Sequence, residues 1–366
     1  MKKKSEPSYY AKKIEPTVVG KGISVPSLID GCFTSFNARN VRNACQLFAG
    51  DIMKNNATVG MSVSGALTPA GLGRSCLIPL IKGGYVDWII STGANLYHDL
   101  HSCLGYGMYE GSPAADDCAL RENEVVRIYD IYFKSDALFD TDRFIRELFR
   151  EHTFPGPVSS AEIHNVIGRY LLKKWPDSHE YSVLAAAAKM DLPVHTSSPG
   201  DSSIGMNLAG LALEGKGPII DPNLDVNLTA AWVYNAKKSG GRTAALILGG
   251  GSPKNFLLQT EPHIQEVLGL KEAGHDYFIQ FTDARADTGG LSGATPSEAV
   301  SWGKIDPAML AHTQVCYGDV SVYLPLFTAY VAGQAKKRKP RRLWKNRRDI
   351  IERLEKAYRR SAHRGK

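Results

Sequence analysis

The stretch Ala244-Ala245-Leu246-Ile247-Leu248-Gly249-Gly250-Gly251 joins a short apolar run to a glycine turn, and a helical pattern follows it. The same order of apolar run and small or polar turn occurs five more times, at 58–63, 86–90, 192–195, 277–281 and 314–317. Short apolar strands that alternate with helices are typical of a parallel sheet covered on both faces. The sequence therefore predicts an α/β fold with a mostly parallel sheet flanked by helices.

Small and polar residues occupy the turns that follow these strands. Ligands of such sheets bind beyond the carboxyl ends of the strands, so the turns predict where a site lies. The glycine turn suits a phosphate group, because glycines let backbone amides approach it and the next helix adds a favourable partial charge. A tight strand-to-helix turn explains the three glycines equally well, and the pattern is not Gly-x-Gly-x-x-Gly. For each aspartate at a strand end, a helix N-cap is the alternative interpretation.

A second stretch, Ala294-Thr295-Pro296-Ser297-Glu298-Ala299-Val300-Ser301-Trp302-Gly303-Lys304-Ile305, holds one lysine among small, apolar and aromatic residues. Lys304 is the candidate nucleophile, because burial against apolar or aromatic surface lowers the pKa of an amine and frees it for imine formation. The alternative interpretation is that Glu298 and Lys304 are exposed charges at a helix end and that Trp302 is a core residue.

The basic residues are concentrated at the C-terminal end of the chain. Residues 336–366 contain 15 Lys or Arg and 3 Asp or Glu, so they contribute +12 to the formal charge of +7 and the rest of the chain carries −5. A mildly acidic body suits a cationic substrate. The basic tail could bind nucleic acid or ribosomes through phosphates, but a solvated basic helix without a specific partner is the simpler prediction. That helix would place Ile350, Leu354 and Tyr358 on one side.

Composition divides the chain into three parts. We expect residues 1–24 to be a flexible N-terminal arm, residues 25–335 a single α/β domain, and residues 336–366 a basic C-terminal tail that contains a helix. An insertion at about 121–173 interrupts the alternation of strands and helices, with an apolar stretch at 128–133 and a helix that carries Phe144, Leu148 and Phe149 on one face. We expect this insertion to cover the site or to build an oligomer.

The expected compartment is the cytoplasm. No run approaches 18 consecutive apolar residues and no apolar segment follows the basic start, which argues against a membrane span or a signal peptide. The six cysteines are scattered without a Cys-x-x-Cys pair, so the sequence predicts reduced thiols and neither a metal site nor a disulfide framework.

The segment Ser297-Glu298-Ala299-Val300-Ser301-Trp302-Gly303-Lys304-Ile305 resembles the active-site segment of the deoxyhypusine synthase family, and the order of the other motifs between about residues 59 and 332 resembles that family too. The resemblance implies a Rossmann-like fold that binds NAD. It also implies that spermidine is oxidised to an imine and that Lys304 displaces diaminopropane and keeps an aminobutyl imine. An acceptor amine then takes this group, and reduction completes the reaction.

The same resemblance implies roles for individual residues. Lys304 is catalytic, Glu298 binds one substrate amine, Trp302 offers an apolar wall or a cation–π face, and Asn255 stands at a substrate position. An aspartate at a strand end suits ribose hydroxyls. The residues that fall on NAD-contacting positions of the family are Thr92, Gly93, Asp201, Gly249, Gly250, Thr282, Asp283 and Asp319.

Several positions depart from the family pattern. Met206 replaces a polyamine-binding aspartate, Leu291 replaces or displaces a second one, Asn255 replaces a histidine proposed as proton acceptor, and His98 replaces a glutamate. An asparagine cannot take a proton at neutral pH. A lone histidine is more often structural than catalytic. The histidines that remain as candidate proton acceptors are His98, His101 and His275.

The cofactor and lysine positions are kept while the polyamine positions change, so the sequence predicts an NAD-dependent aminobutyl transferase with different substrates. It is similar to the bacterial deoxyhypusine synthase-like branch, which implies spermidine as donor, a small diamine such as putrescine as acceptor, and homospermidine as product. The family also implies a homotetramer with sites between paired subunits. Two alternatives are deoxyhypusine synthesis on a lysine of a translation factor and a non-catalytic scaffold that binds polyamine or RNA.

Overall fold

The computed structural model describes residues 13–362, so residues 1–12 of the expected N-terminal arm lie outside the described residues. The strands of the described part are β1 (Thr58–Val63), β2 (Trp88–Ser91), β3 (Tyr109–Glu110), β4 (Val125–Ile128), β5 (Ile131–Lys134), β6 (Val194–Thr196), β7 (Thr243–Leu248), β8 (Tyr277–Thr282) and β9 (Thr313–Tyr317).

The α-helical segments are numbered in chain order as well. They are α1 (Val25–Cys32), α2 (Phe36–Leu47), α3 (Ile78–Lys82), α4 (Gly93–His98), α5 (Asp117–Glu122), α6 (Asp136–Glu151), α7 (Ser160–Lys174), α8 (Val183–Lys189), α9 (Ser203–Leu213), α10 (Pro222–Lys238), α11 (Gly251–Leu258), α12 (Thr260–Pro262), α13 (Pro296–Ser301), α14 (Val320–Gln334) and α15 (Arg347–Ala362). Among the described residues, no helix combines the length and the apolar character that crossing a membrane requires.

Six strands form one sheet in the order β6-β2-β1-β7-β8-β9, and every neighbouring pair is parallel. Each of the six predicted strands overlaps one strand of this sheet, so the predicted fold class is confirmed. The chain runs outward from β1 to β6, returns to the other side of β1 as β7, and continues to β9. The direction of winding therefore changes between β1 and β7, and open α/β sheets bind ligands at such a switch point.

Alternate residues of the central strands enter two separate cores. In β7, Leu246 and Leu248 pack with the helices of one face, whereas Ala245 and Ile247 pack with α10, α11 and α15 on the other. Successive side chains of a strand point to opposite faces, so a strand buried on both faces must be apolar at every position. The near-continuous apolar runs in the sequence are the consequence of this double burial.

The insertion contains a small sheet of its own. Strands β3, β5 and β4 pair antiparallel in that order, and the predicted apolar stretch at 128–133 is a hairpin that turns at Tyr129, whose φ is +54°. Helix α6 follows and buries Phe144 and Phe149 in the main core. Helix α7, most of which lies in the predicted range 121–173, buries Ile163, Ile167 and Leu171 in the same core. The insertion is thus attached to the domain through α6 and α7, and its role in an oligomer remains a prediction.

The C-terminal segment crosses the amino ends of the strands, opposite the predicted site. Asp87, which precedes β2, accepts the Val59 backbone N–H at 2.8 Å and is buried. The guanidinium of Arg338 donates to the same carboxylate at 3.1 Å and to the Ala57 carbonyl at 2.7 Å. Arg338 of the tail therefore neutralises the carboxylate that accepts an otherwise unpaired backbone N–H group at the edge of the sheet.

A second contact region holds the tail farther along. Arg342 donates to Asp191 at 2.8 Å, and the Trp344 backbone N–H donates to the Asp191 carbonyl at 2.9 Å. Trp344 and, in α15, Leu354 are buried against the body. The tail is therefore not the fully solvated helix of the simpler prediction, because it has apolar and ionic contacts within its own chain. That it has no specific partner outside the chain stays a prediction.

We expect Asp87→Asn to lower the free energy of unfolding by about 3–5 kcal/mol, because the Arg338 guanidinium would stay buried without its counter-charge. Urea denaturation followed by circular dichroism measures this change. Glu352→Gln is the matched control, since it removes an exposed carboxylate that pairs with Lys356. Equal unfolding midpoints for the two variants would contradict the role given to Asp87.

Candidate active site

The glycine turn after β7 lies at the switch point and is closely packed. Gly249 and Gly251 have φ values of +84° and +60°, which residues with a side chain rarely adopt. A Cβ on Gly250 would lie 2.5 Å from Ser292 Cβ, so a side chain does not fit there. The Ser64 hydroxyl, from the turn after β1, donates to the Gly250 carbonyl. The ends of β1 and β7 are therefore joined directly, and the N-terminus of α11 begins at this junction.

The neighbouring turns converge on the same edge. The Thr92 hydroxyl donates to the Gly65 carbonyl at 2.6 Å, which connects the turns after β2 and β1. A Cβ on Gly93 would overlap Ser202, so the start of α4 and the loop after β6 approach closely. The predicted residues Thr92, Gly93, Gly249 and Gly250 thus belong to one connected surface.

The three predicted aspartates differ in their local partners. Asp319 is the N-cap of α14 and accepts the Ser321 N–H at 2.7 Å, as the alternative interpretation proposed. Asp201 and Asp283 are exposed and cap no helix, since Ser202 is the N-cap of α9. Thr282 is buried, and its hydroxyl accepts the Ala284 N–H at 3.1 Å. Asp201 and Asp283 are the carboxylates that this geometry leaves available to a ligand.

A cavity of about 270 Å³ brings together the four residues predicted for catalysis and substrate binding. Its lining contains Asn255 and Lys254 from α11, Glu298 from α13, Trp302, Lys304 and Leu291, among others. Within the described chain, no residue of the insertion at 121–173 lines this cavity. The expectation that the insertion covers the site is therefore not met within one subunit.

Local sequence explains how Lys304 enters the cavity. Thr295 caps α13 by accepting the Glu298 N–H at 3.2 Å, and the helix ends at Trp302. Gly303 has φ of +65° and reverses the chain, so that the Lys304 N–H reaches the Ala299 carbonyl at 3.0 Å. A left-handed glycine that ends a helix is a common C-terminal motif. It turns Lys304 back toward α11.

The Lys304 amine has a partly buried environment. Its Nζ donates to Asn255 Oδ1 at 3.0 Å and lies 5.6 Å from the centre of the Trp302 ring. Burial lowers the pKa of Lys304, and the negative charge of Glu298 opposes this shift. Trp302 is 59% exposed, so it is a wall of the cavity and not the core residue of the alternative interpretation.

Backbone contacts hold the Lys304 segment from behind. The His275 N–H donates to the Lys304 carbonyl at 3.0 Å, and the Asp306 N–H donates to the His275 carbonyl at 3.1 Å. Gln265 Nε2 donates to the Gly303 carbonyl at 2.8 Å. The imidazole of His275 is buried between Thr243 and Thr260, so this histidine is structural.

The other two candidate histidines lie away from the Lys304 cavity. His98 Nδ1 and His101 Nε2 are 3.0 Å apart, and His101 Nδ1 is 2.8 Å from the Thr141 hydroxyl. Burial lowers the pKa of His98 and brings that of His101 to about 3. Neither lines the cavity, where Glu298 is the carboxylate among the described lining residues.

Lys254 is the residue that sequence reasoning missed. The residue is 2% exposed. Its ammonium donates to Gln280 Oε1 at 3.0 Å, to the Ser292 carbonyl at 3.2 Å and to the Ala294 carbonyl at 2.7 Å. Burial lowers its pKa to about 8. Two signals were present in the sequence: a lysine one turn after the glycine turn, and Gln280 inside an apolar strand.

The two substituted positions have different locations. Leu291 lines the cavity and adds apolar surface beside Lys304. Met206 lies on α9, is 63% exposed and does not line the described cavity. Within one subunit, Leu291 is therefore the substitution that replaces an expected charge near Lys304 with apolar surface.

Comparisons with known proteins agree over most of the chain. Residues 30–331 match the family model described as deoxyhypusine synthase. A deoxyhypusine synthase-like protein of Nostoc punctiforme is 54% identical over 349 residues, which cover 95% of this chain and 90% of the relative. A probable deoxyhypusine synthase 2 of Methanosarcina acetivorans is 37% identical over 84% of this chain and 86% of the relative.

A solved structure shares the fold. The crystal structure assigned to a deoxyhypusine synthase of Entamoeba histolytica aligns with a TM-score of 0.59 at 16% identity, and the alignment covers 89% of this chain and 99% of that one. At this identity the likeness concerns the architecture, which agrees with the parallel sheet described above.

We expect Glu298→Gln to move the pH profile of Lys304 reactivity to lower pH. The carboxylate of Glu298 raises the pKa of Lys304, so its removal leaves more neutral amine at a given pH. Acylation with an amine-selective reagent across a pH series, followed by peptide mass spectrometry, measures the profile. Glu355→Gln on α15 is the control and should leave it unchanged. A shift of the Glu298→Gln profile to higher pH would refute this electrostatic assignment.

Proposed function

The chain belongs to the deoxyhypusine synthase family, and on that premise we propose that it is an NAD-dependent transferase that moves an aminobutyl group from spermidine to a small diamine such as putrescine. Family membership itself implies an aminobutyl transferase. The donor, the acceptor and homospermidine as product are the finer parts of the proposal. We further propose that the enzyme is cytoplasmic and acts as a homotetramer.

The observation that carries the proposal is that Lys304 and Glu298 line the same small cavity. Desolvation favours the neutral amine that a nucleophile requires, while the carboxylate supplies a partner for a substrate ammonium. Trp302 offers a ring face to the same cation. A site that suits a cation and also holds an amine with a lowered pKa is suited to imine formation with part of a polyamine.

The carboxyl edge also fits the cofactor. Gly249 and Gly250 form the turn at the switch point where a dinucleotide binds in this type of sheet, and α11 begins directly after them. Asp201 and Asp283 would accept ribose hydroxyls, while Thr92, Gly93, Thr282 and Asp319 would shape the remainder of the site. When bound, NAD supplies the two-electron oxidation of the donor amine and, in its reduced form, the final reduction. We therefore propose NAD as the cofactor.

The protein groups then carry the transfer between these two redox events. The neutral amine of Lys304 adds to the imine carbon of oxidised spermidine, and the carbon–nitrogen bond to diaminopropane breaks. Diaminopropane leaves with the proton that Lys304 gives up, and the aminobutyl group stays on Lys304 as an imine. The acceptor amine adds to that carbon and releases Lys304. We propose Glu298 as the group that receives and returns protons, since Asn255 cannot.

The cavity favours a small acceptor. Its volume of about 270 Å³ is bounded by the apolar side chain of Leu291 and the ring of Trp302, which suit the methylene chain of a diamine. One ammonium of that diamine pairs with Glu298, and the other amine faces Lys304. The negative formal charge of residues 1–335 favours the approach of either cationic substrate.

We expect borohydride to trap an aminobutyl adduct on Lys304 when the protein is incubated with spermidine and NAD. Reduction converts the imine into a stable secondary amine, and peptide mass spectrometry locates it. Lys304→Arg should abolish the adduct, because a guanidinium does not act as the nucleophile. Lys189→Arg, on α8, is the matched control and should keep it. An adduct that persists in Lys304→Arg would remove this lysine from the mechanism.

The function itself is tested by incubating the purified protein with NAD and spermidine, with and without putrescine, and separating the polyamines by chromatography. We expect homospermidine only when NAD and both amines are present, whereas spermidine and NAD alone should release diaminopropane as the aminobutyl group moves to Lys304. Transfer to a lysine of a translation factor without homospermidine would favour the deoxyhypusine alternative. Absence of any turnover, with spermidine still bound, would favour a non-catalytic scaffold.

A further inference from the structure

The C-terminal segment lies beyond the family match, which ends at residue 331, and it closes a second cavity. This cavity has a volume of about 450 Å³ and lies at the amino ends of β1 and β7. The body contributes Asn55, Asn56 and Asn235, and the tail contributes Arg341, Asn346 and Arg353. It is therefore at the opposite edge of the sheet from Lys304.

The lining of this cavity is polar and cationic. Two arginines and four asparagines line it, and no aspartate or glutamate is present among the described residues that do so. The guanidinium groups present N–H donors, which an oxyanion accepts. The side-chain amide of Asn235 already donates to two backbone carbonyls, and that of Asn55 donates to Tyr277. This composition suits an anion, in contrast to the Lys304 cavity with its carboxylate.

The charge of Arg341 is only partly compensated. Its Nε is buried without a hydrogen-bond partner and lies 3.4 Å from Asp87 Oδ1, and its Nη2 donates to Asn56. Asp87 also receives the buried guanidinium of Arg338 at 3.1 Å. Two guanidiniums therefore share one carboxylate, and a net positive charge remains beside the cavity.

Arg353 supplies a second positive charge from the tail helix. It is exposed on α15, and the contacts of the described residues include no ion pair for it, whereas its neighbours Glu352 and Glu355 pair with Lys356 and Arg359. A ligand between Arg341 and Arg353 would connect the segment that crosses the sheet with the helix that follows it.

We propose that this cavity binds a small phosphorylated metabolite, with the phosphate group between Arg341 and Arg353. Guanidinium forks match phosphate oxygens in geometry and charge. A cavity of this volume encloses a small molecule on several sides, whereas a nucleic acid would follow a continuous basic surface. The ligand would occupy the cavity that body and tail line together and so stabilise the docked tail.

The test uses the full chain with inorganic phosphate and adenosine monophosphate as probes, and chloride at matched ionic strength as reference. Thermal unfolding and isothermal titration report binding. We expect a saturable rise of the melting temperature with both phosphate probes. Arg353→Gln should weaken the binding about tenfold or more, because one charged hydrogen-bond partner is lost. Arg359→Gln, on the same helix but outside the cavity, should bind as the parent does.

Three results would overturn the proposal. The first is a phosphate effect no larger than that of chloride. The second is equal binding by the parent and Arg353→Gln, which would place the phosphate elsewhere, for example at the glycine turn. The third is binding of a short RNA that both arginine variants weaken equally while the small probes have no effect, which would indicate a diffuse basic surface. Since Arg353 is exposed, its replacement should leave the fold intact, and circular dichroism verifies this.

Discussion

The buried ammonium of Lys254 connects the two halves of the candidate active site. It donates to Gln280 of β8 and to the carbonyls of Ser292 and Ala294, and Gln280 donates in turn to the Gly249 carbonyl at 2.9 Å. A buried charge is tolerated only when acceptors surround it, and leaving them unpaired is costly. The glycine turn and the loop that leads into α13 are therefore held in one arrangement, and the Lys304 cavity depends on it.

The charges inside that cavity act on one another. The positive charge of Lys304 helps to lower the pKa of Lys254, while Glu298 raises the pKa of both lysines. Two amines near one carboxylate cannot both be fully charged without cost, and Lys254 has three acceptors whereas Lys304 has Asn255. Each amine is therefore easier to deprotonate while the other is charged, and the pKa of both lies below the ordinary lysine value.

The two edges of the sheet are completed by different kinds of side chain, because all six strands run in the same direction. Parallel strands leave unpaired N–H groups at their amino ends, and the carboxylates of Asp87 and Asp276 accept the N–H groups of Val59 and Thr243 there at 2.8 Å. Those buried carboxylates require cations, which the basic tail and Lys237 supply. At the carboxyl edge, the neutral side chains of Ser64, Gln280 and Ser292 form hydrogen bonds with the backbone of the glycine turn instead. The basic tail is therefore a structural component of the domain as well as a source of charge.

By itself the sequence determined the strands and the fold class, because apolar runs are local patterns, and its resemblance to a known family grouped Lys304, Glu298, Trp302 and Asn255 in one site. The sequence offered a helix N-cap as an alternative for each aspartate at a strand end. It could not distinguish Asp319, which caps α14, from Asp201 and Asp283, which cap no helix, since capping depends on where the next helix begins. The tertiary structure alone decided the strand order, the docking of the tail and the role of Lys254. Each of these depends on partners far away in the chain, and burial of a charge is a property of those partners and not of the residue that carries it.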